Sequence, residues 1–454
     1  MNDDARFERL FADGLHELAP SRAPDRLRTQ VKAESADVRP HARWLALIKE
    51  PPMRTNSRLA VGSPTGRAAA IMVATLLATL LVISAGIAGA QLLAADGPIV
   101  VDQSGGGHYD TITEAVAMAA DGDDILVRPG TYVEAVVIDK DLTLRGDGPV
   151  EQIIITAPED GPTSPLWEGL FNADPYVLLV ADTEATISGL TFEGLGSEVI
   201  LDGGSPTLSD SVFNDVGWAF DGSNISPNGS SVVVTNGGSA VVTGNTIRRG
   251  GPIAVFGDAD AIIEANTLIG GPHIYLNDYG TEVRIRENTI EGTFSWSIGA
   301  FDGDLSGHVV IEGNRFENPG QIAINMSEGS ADIIDNEIVG ASVAGVTMGL
   351  QPVSVVGNTF IDNRIAVSAA VGDGAVSDNV VRGGGAGIVV SRDREVSGND
   401  VEGVESRGIS VAAGSPVLRA NRSCGNGENL WVGPNAEPDI DESNEICEDA
   451  PAAA

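Results

Sequence analysis

The sequence predicts an all-β parallel solenoid of roughly 22-residue coils over most of its length, on three observations. An apolar strand that stops at an asparagine and restarts at once recurs through the C-terminal half. Examples are VVTGNTI at 241–247, IIEANTL at 262–268, RIRENTI at 284–290 and VIEGNRF at 310–316. The asparagines are Asn245, Asn266, Asn288, Asn314, Asn336, Asn358, Asn379, Asn399, Asn421 and Asn444, in steps of 20 to 23 residues with one step of 26. A second strand follows in each coil, as in GPIAVFG (251–257) and GQIAINM (320–326). So short a period, with β-branched residues alternating and Gly at the bends, has no room for a helix pair. It suits coils that stack at the strand spacing of ~4.8 Å.

The asparagine is expected near the left-handed region, which it tolerates better than most non-glycine residues, with its side chain bonded along the stack. Ser211 and Leu190 hold the same place in two earlier coils, TLSDSVF (207–213) and TISGLTF (186–192). A residue that recurs in every coil marks architecture, so these asparagines are read as structural. Phe192, Phe213 and Phe316 fall at inward positions of the same repeat.

The N-terminal part is built differently. Residues 1–67 read as a short cytoplasmic tail, in which Phe7, Leu10, Phe11, Leu15 and Leu18 have the spacing of one amphipathic helix. A basic, proline-broken stretch follows, with ten Lys/Arg against four Asp/Glu over 22–67. Residues 68–95 read as a transmembrane helix, because 68–93 holds no ionisable side chain and a bilayer core needs about 20 apolar residues. Basic residues before it and acidic ones after it place the N-terminus in the cytoplasm and the solenoid outside the cell membrane. A cleaved signal peptide ending near Ala88-Gly89-Ala90 is the alternative, and the long charged leader argues against it. Residues 96–146 form a linker and N-terminal cap, 147–423 the solenoid, and 424–454 the last coil and a tail.

A formal net charge of −37 excludes nucleic acid as a partner, since a phosphate backbone needs Lys and Arg to neutralise it. A monomer is expected. Cys424 and Cys447 each lie three residues after a ladder asparagine, so they stack on adjacent coils. Outside the membrane they would form a disulfide that staples the last coil; free buried thiols are the alternative.

The cap is legible in YDTITEAVAMAADGDDILVRPGTYVEA (109–135). Thr111 and Glu114 have capping-box spacing, Ile112, Ala115, Val116 and Ala119 form an apolar stripe, and Gly122 is placed to end the helix. Together with Tyr109, the Gly122-Asp123-Asp124-Ile125 turn, Pro129-Gly130-Thr131-Tyr132 and Glu134, this segment resembles the opening of the pectin-lyase-like superfamily. With the asparagine ladder the resemblance covers about 98–447, and it implies a right-handed parallel β-helix with an N-terminal cap helix. The superfamily hosts lyases, hydrolases, esterases, epimerases and non-catalytic binders, so activity has to be read from the residues. The Gln-Asp-Thr-Leu block of pectin esterases, the Gly-His-Gly of polygalacturonases and the Asp-Pro-His-Asp of alginate epimerases do not occur in this sequence.

The candidate chemistry lies at 165–310. Asp258, Asp278 and Asp302 stand at the ends of strands in successive coils, as Asp221 does earlier, with Asp304 close by. Stacked, they would form an acidic row able to supply the acid and base of a hydrolase. No cofactor is required, but Asp278, Asp302 and Asp304 could hold Ca²⁺. The plain alternative is that these aspartates only form turns. Trp218, Tyr275, Tyr279 and Trp296 are placed to line a groove where sugar faces stack on rings, with His273 and Arg284 beside them. Two long insertions, 157–176 and 221–231, interrupt the period in the same region.

The expected function is recognition of a polysaccharide or cell-envelope glycan by a membrane-anchored β-helix. A hydrolase or lyase using the aspartate row and a structural or adhesive surface module are the alternatives.

Overall fold

The computed structural model describes residues 97–162, 176–194, 196–217, 219–220, 225–226, 229–300 and 307–448. The amphipathic segment 7–18, the apolar segment 68–95, Trp218, Asp221, Asp302 and Asp304 lie outside the described residues. Among the described residues, no helix is long and apolar enough to cross a membrane.

The chain winds as a parallel solenoid in which a full coil carries three short strands. Their stacking makes three long sheets, called A, B and C in chain order, of 15, 14 and 13 strands. One coil shows the pattern. Glu282–Arg286 lies in sheet A, Thr289–Glu291 in sheet B and Trp296–Ala300 in sheet C, before the chain returns to sheet A at His308–Glu312. Sheet A and sheet C were anticipated as separate strands; the strand after each asparagine belongs to sheet B.

Register is residue for residue except for single shifts at Glu198/Val199 and Val411/Ala413 in sheet C, so apolar side chains stack in columns. In sheet A, Ile263, Ile285, Ile311, Ile333 and Val355 pair in turn. In sheet B the column is Leu268, Ile290, Phe316, Ile338 and Phe360. All of these are completely buried and belong to one continuous core. Higher in the same column, below Tyr132 and Ile155, Phe192 and Phe213 stack with ring centroids 4.9 Å apart. Burying each such side chain contributes about 1.5–3 kcal/mol.

The asparagine ladder marks the corner between sheets A and B. Asn314 Oδ1 accepts from both the backbone N–H and the side-chain amide of Asn288, at 2.9 and 3.0 Å. Its own Nδ2 donates to Ile285 O at 2.8 Å and to Asn336 Oδ1 at 3.0 Å. The same pattern runs from Asn245 to Asn444. Ser211 stands at its upper end, taking Asn245 Oδ1 as acceptor for its N–H. The left-handed residue is not the asparagine but the one before it, as at Ala265 (φ 53°), Glu287 (φ 56°) and Asp335 (φ 53°). The asparagine is therefore selected for its amide, which satisfies buried backbone groups at the corner, and the preceding residue carries the strain.

At the N-terminal end a short helix, Ile112–Met118, sends Ile112, Ala115 and Val116 into the core. Thr111 accepts from Glu114 N–H at 3.2 Å, the first half of the capping box. The rest of the helix start is held by Glu134, whose carboxylate accepts from the N–H groups of Ile112 and Thr113 at 3.0 and 2.8 Å. The helix ends at Met118 rather than at Gly122. Lys140 Nζ takes the carbonyls of Val116, Ala117 and Ala119 at 2.9, 3.1 and 2.8 Å, while Ala120 N–H turns to Asp123. A cation at a helix C-terminus satisfies the last carbonyls and opposes the helix dipole.

Cys424 and Cys447 are joined by a disulfide with Cα atoms 4.9 Å apart, between the last two strands of sheet B.

Asn314→Ala is expected to lower stability by about 3 kcal/mol, because each buried hydrogen-bonding group left unmade costs about 1–3 kcal/mol. Asn444→Ala, at the half-exposed end of the ladder, is expected to cost about 1 kcal/mol or less. Urea midpoints of the two variants check this; equal losses would show that ladder position does not matter.

Candidate functional site

Each corner of the coil has its own character. The A–B corner is the asparagine ladder. Both long insertions break the B–C corner: one runs between Thr156 at the end of a sheet B strand and Tyr176 at the start of a sheet C strand, the other between Asn214 and Val232. Asp258 and Asp278 lie at the C–A corner.

Asp258 and Asp278 are exposed and left-handed, with φ of 59° and 49°. They stand on adjacent coils, and Asp258 N–H donates to Asp278 O at 2.7 Å. Their place is that of turn formers, since a short polar side chain tolerates this backbone conformation. Among the described residues neither belongs to a group of three or more ligands near enough to share a metal ion. Asp260, two residues on, accepts from Glu282 N–H at 2.8 Å and so shapes the start of the next strand.

Tyr279 does not line a groove. It is buried in the main core, and burial pushes its phenol up to about 12. The left-handed Asp278 turns the chain so that the next side chain faces inward. Gly307 follows on the coil after, where a Cβ would fall 2.7 Å from the tyrosine ring. Arg284 is also placed apart from the aromatics. It lies on the outer face of sheet A, its Nε 2.6 Å from Glu282 Oε1, and that contact holds the glutamate below its ordinary range.

His273 and Trp296 come together at the B–C corner, and Tyr275 follows His273 by two residues on the outer face of sheet C. Tyr275 is half-buried on that face, paired with Ala254 above and Gly299 below. His273 and Trp296 meet edge to face with ring centroids 6.0 Å apart. Burial pulls the His273 pKa down to about 4, partly offset by a hydrogen bond with the Gly271 backbone, so the ring is neutral at pH 7.

Three features of these faces were not anticipated. Phe294 is 57% exposed at the B–C corner and lies over Gly271, where a Cβ would be 2.9 Å from its ring. Ile200 and Val233 alternate with core residues, and so face outward from sheet C, yet are fully buried in a second cluster with Tyr176, Leu179 and Phe256. Glu198 is buried at the head of its sheet C strand and accepts from Ser230 N–H at 3.3 Å. The spacing of Phe294 from its ladder asparagine could have flagged it; a single Glu in an apolar strand carries no such signal.

Below the aromatics the same face becomes polar. Asn325 accepts from Thr347 Oγ1 at 2.7 Å and from Ser327 Oγ at 2.8 Å, and Asn277 Nδ2 lies 3.4 Å from Tyr275 Oη. Rings followed by amides and hydroxyls form a surface that can stack on an apolar sugar face and bond its hydroxyls.

The family described as right handed beta helix region matches residues 176–304 and 293–423. The chain belongs to this family. It is a right-handed parallel β-helix. Among solved structures this β-helix is similar to the catalytic unit of a thermostable GH87 α-1,3-glucanase from Streptomyces thermodiastaticus, at 12% identity over 78% of this chain and 70% of that one, TM-score 0.40. It is also similar to the A-module of the mannuronan C-5 epimerase AlgE6 of Azotobacter vinelandii, at 13% identity over 75% and 94%, TM-score 0.37. A third is PfbA, a surface adhesin of Streptococcus pneumoniae, at 13% identity over 73% and 87%, TM-score 0.34. No curated protein matches the sequence.

The depressed pKa of His273 carries a pH dependence. Its folded value of about 4 lies below the ordinary 6.5, so the unfolded chain takes up this proton first as pH falls. The His273 contribution is therefore expected to be fully favourable above pH 6.5 and to be lost between 6.5 and about 4. His273→Gln should lose less stability across that window. Urea midpoints at both ends check it, and equal losses in the two proteins would rule it out.

Proposed function

We propose that this protein recognises a polysaccharide or cell-envelope glycan through the outer face of sheet C beside the B–C corner. The observation that carries the reading is the edge-to-face pair of His273 and Trp296, with exposed Phe294 two residues before Trp296 and half-buried Tyr275 two after His273, next to the amide and hydroxyl row of Asn277, Asn325 and Thr347. Neutral His273 suits an uncharged ligand, and the net charge of −37 disfavours polyanions at long range. The flat, rigid face suits an extended polymer lying across several coils. The solved structures similar in fold include a glucanase, a mannuronan epimerase and a surface adhesin.

The hydrolase reading that uses the aspartate row is less well supported, because Asp258 and Asp278 are exposed turn residues of different rank in their coils. In this reading Ca²⁺ has no part in binding. The helix Ile112–Met118 serves to close the N-terminal end of the core. Residues 68–95 anchor the chain in the cell membrane, with the β-helix on the extracytoplasmic side.

Phe294→Ala and Trp296→Ala should each weaken binding of neutral polysaccharides by about tenfold, or ~1.4 kcal/mol. Affinity electrophoresis of the full-length protein in gels containing neutral or uronate polymers reads this out. Unchanged migration of wild type in every polymer would overturn the glycan reading. Anchoring is checked by protease added outside spheroplasts, which should reach the β-helix domain and spare the N-terminal segment; full protection of the β-helix domain would reverse the topology.

A further inference from the structure

In four successive coils the sheet A strand opens on an outward residue six before its ladder asparagine, and these residues are Asp260, Glu282, His308 and Ser330. The ring of His308 is held from two sides by the following strand. Its Nδ1 is 3.0 Å from Ser330 Oγ, and its Nε2 is 3.2 Å from Asp332 Oδ2. An ionised carboxylate only accepts, so Nε2 carries the proton toward Asp332, and the Nδ1 lone pair is left for the serine hydroxyl. The hydroxyl has Gly307 O as a second acceptor at 3.2 Å. A hydroxyl, an imidazole base and a carboxylate that orients the base are the parts of a nucleophilic acyl-transfer site, recognised by geometry rather than by order in the chain.

We propose that Ser330, His308 and Asp332 form an ester-cleaving site, with an acyl group carried on a neutral extended polymer as its substrate. The Ser330 hydroxyl oxygen bonds to the ester carbonyl carbon while its proton passes to His308 Nδ1. The bond from carbonyl carbon to alkoxy oxygen then breaks, and the alkoxy oxygen leaves with that proton as the alcohol. Water attacks the acyl-serine, His308 takes its proton and returns it to Ser330 Oγ, and the carboxylic acid is released. Asp332 holds the imidazole and stabilises its charged form throughout.

The surroundings define the substrate class. The side chains of His308 and Asp332 are 40% and 44% exposed, so the site is reached without any movement of the chain. Exposed to this degree on the outer face of a sheet, it suits a group presented on a polymer better than a small free ester. A shallow depression of about 190 Å³ adjoins it, lined by Glu282, Arg284, Arg286, Val310 and Glu312. Val310 pairs directly with Asp332, and Glu282 with His308. Two carboxylates and two guanidinium groups leave that depression without net charge, as a neutral polymer requires. That the polymer is a glycan rests on the sheet C reading; the ester chemistry does not, because it uses a different face. The N–H groups of an interior sheet A strand are engaged in the ladder, so the site gains its rate from general-base catalysis, on the order of 10²–10⁴-fold.

Full-length protein is treated with a fluorophosphonate, which labels activated serines, and separately with p-nitrophenyl acetate. A fluorophosphonate adduct on the peptide containing Ser330 is expected. Release of p-nitrophenol should fall at least tenfold in Ser330→Ala and in His308→Gln. Asp332→Asn should lower the rate, and Asp332→Glu should restore part of it. No adduct at Ser330, or release unchanged in Ser330→Ala, would overturn the proposal. These outcomes are separate from the polysaccharide gel result, so loss of either function is seen independently of the other.

Discussion

Hydrogen bonding between coils at the A–B corner is the constraint on which the rest of the structure depends. Each buried asparagine accepts from the previous coil's N–H and amide and donates to a carbonyl of that same coil and to the next asparagine. A slip of one residue would break these bonds and carry the alternating side chains to the wrong face. The ladder therefore fixes the phase of every coil from Asn245 to Asn444. Once the phase is fixed, the Ile, Val, Leu and Phe columns of the three sheets have no alternative partners.

The same phase writes rows on the outside of the solenoid. The row of Asp260, Glu282, His308 and Ser330 exists because all four stand at one distance from the ladder. Asp258 and Asp278 stand eight and ten residues before theirs, so they occupy adjacent turns without sharing a rank. Variation in coil length is thus taken up mostly at turns, with single register shifts inside two sheet C pairings. Both long insertions are spliced into the B–C corner; the strand after the second keeps register with its neighbour, while after the first the sheet C pairing shifts once, between Glu198 and Val199. Aromatic side chains gather at that corner because the backbone there is free to differ from coil to coil, while the ladder corner is not.

Most of the fold could be read in advance because period, alternation and the asparagine are local signals. The stacking of Cys424 on Cys447 follows from the same count. Sheet B was the part least visible, since its strands are only three residues long in most coils and merge with the asparagine in the sequence. The candidate site was legible only in pieces. His273 and Trp296 meet edge to face, whereas Arg284 belongs to another sheet and Tyr279 to the core.

By itself the sequence determined the repeat, the identity of the ladder residue and the inward columns, because each depends on spacing along a chain whose strands have a period of two. Which outward side chains meet was decided by the tertiary structure. Tyr279 turned inward because one left-handed aspartate reversed the alternation before it, and no periodicity reports a single φ. His308 met Ser330 and Asp332 across a gap of 22 to 24 residues only because the ladder aligned two coils at hydrogen-bonding distance. A side chain's direction is set by its own strand, but its neighbours are set by the strand stacked against it.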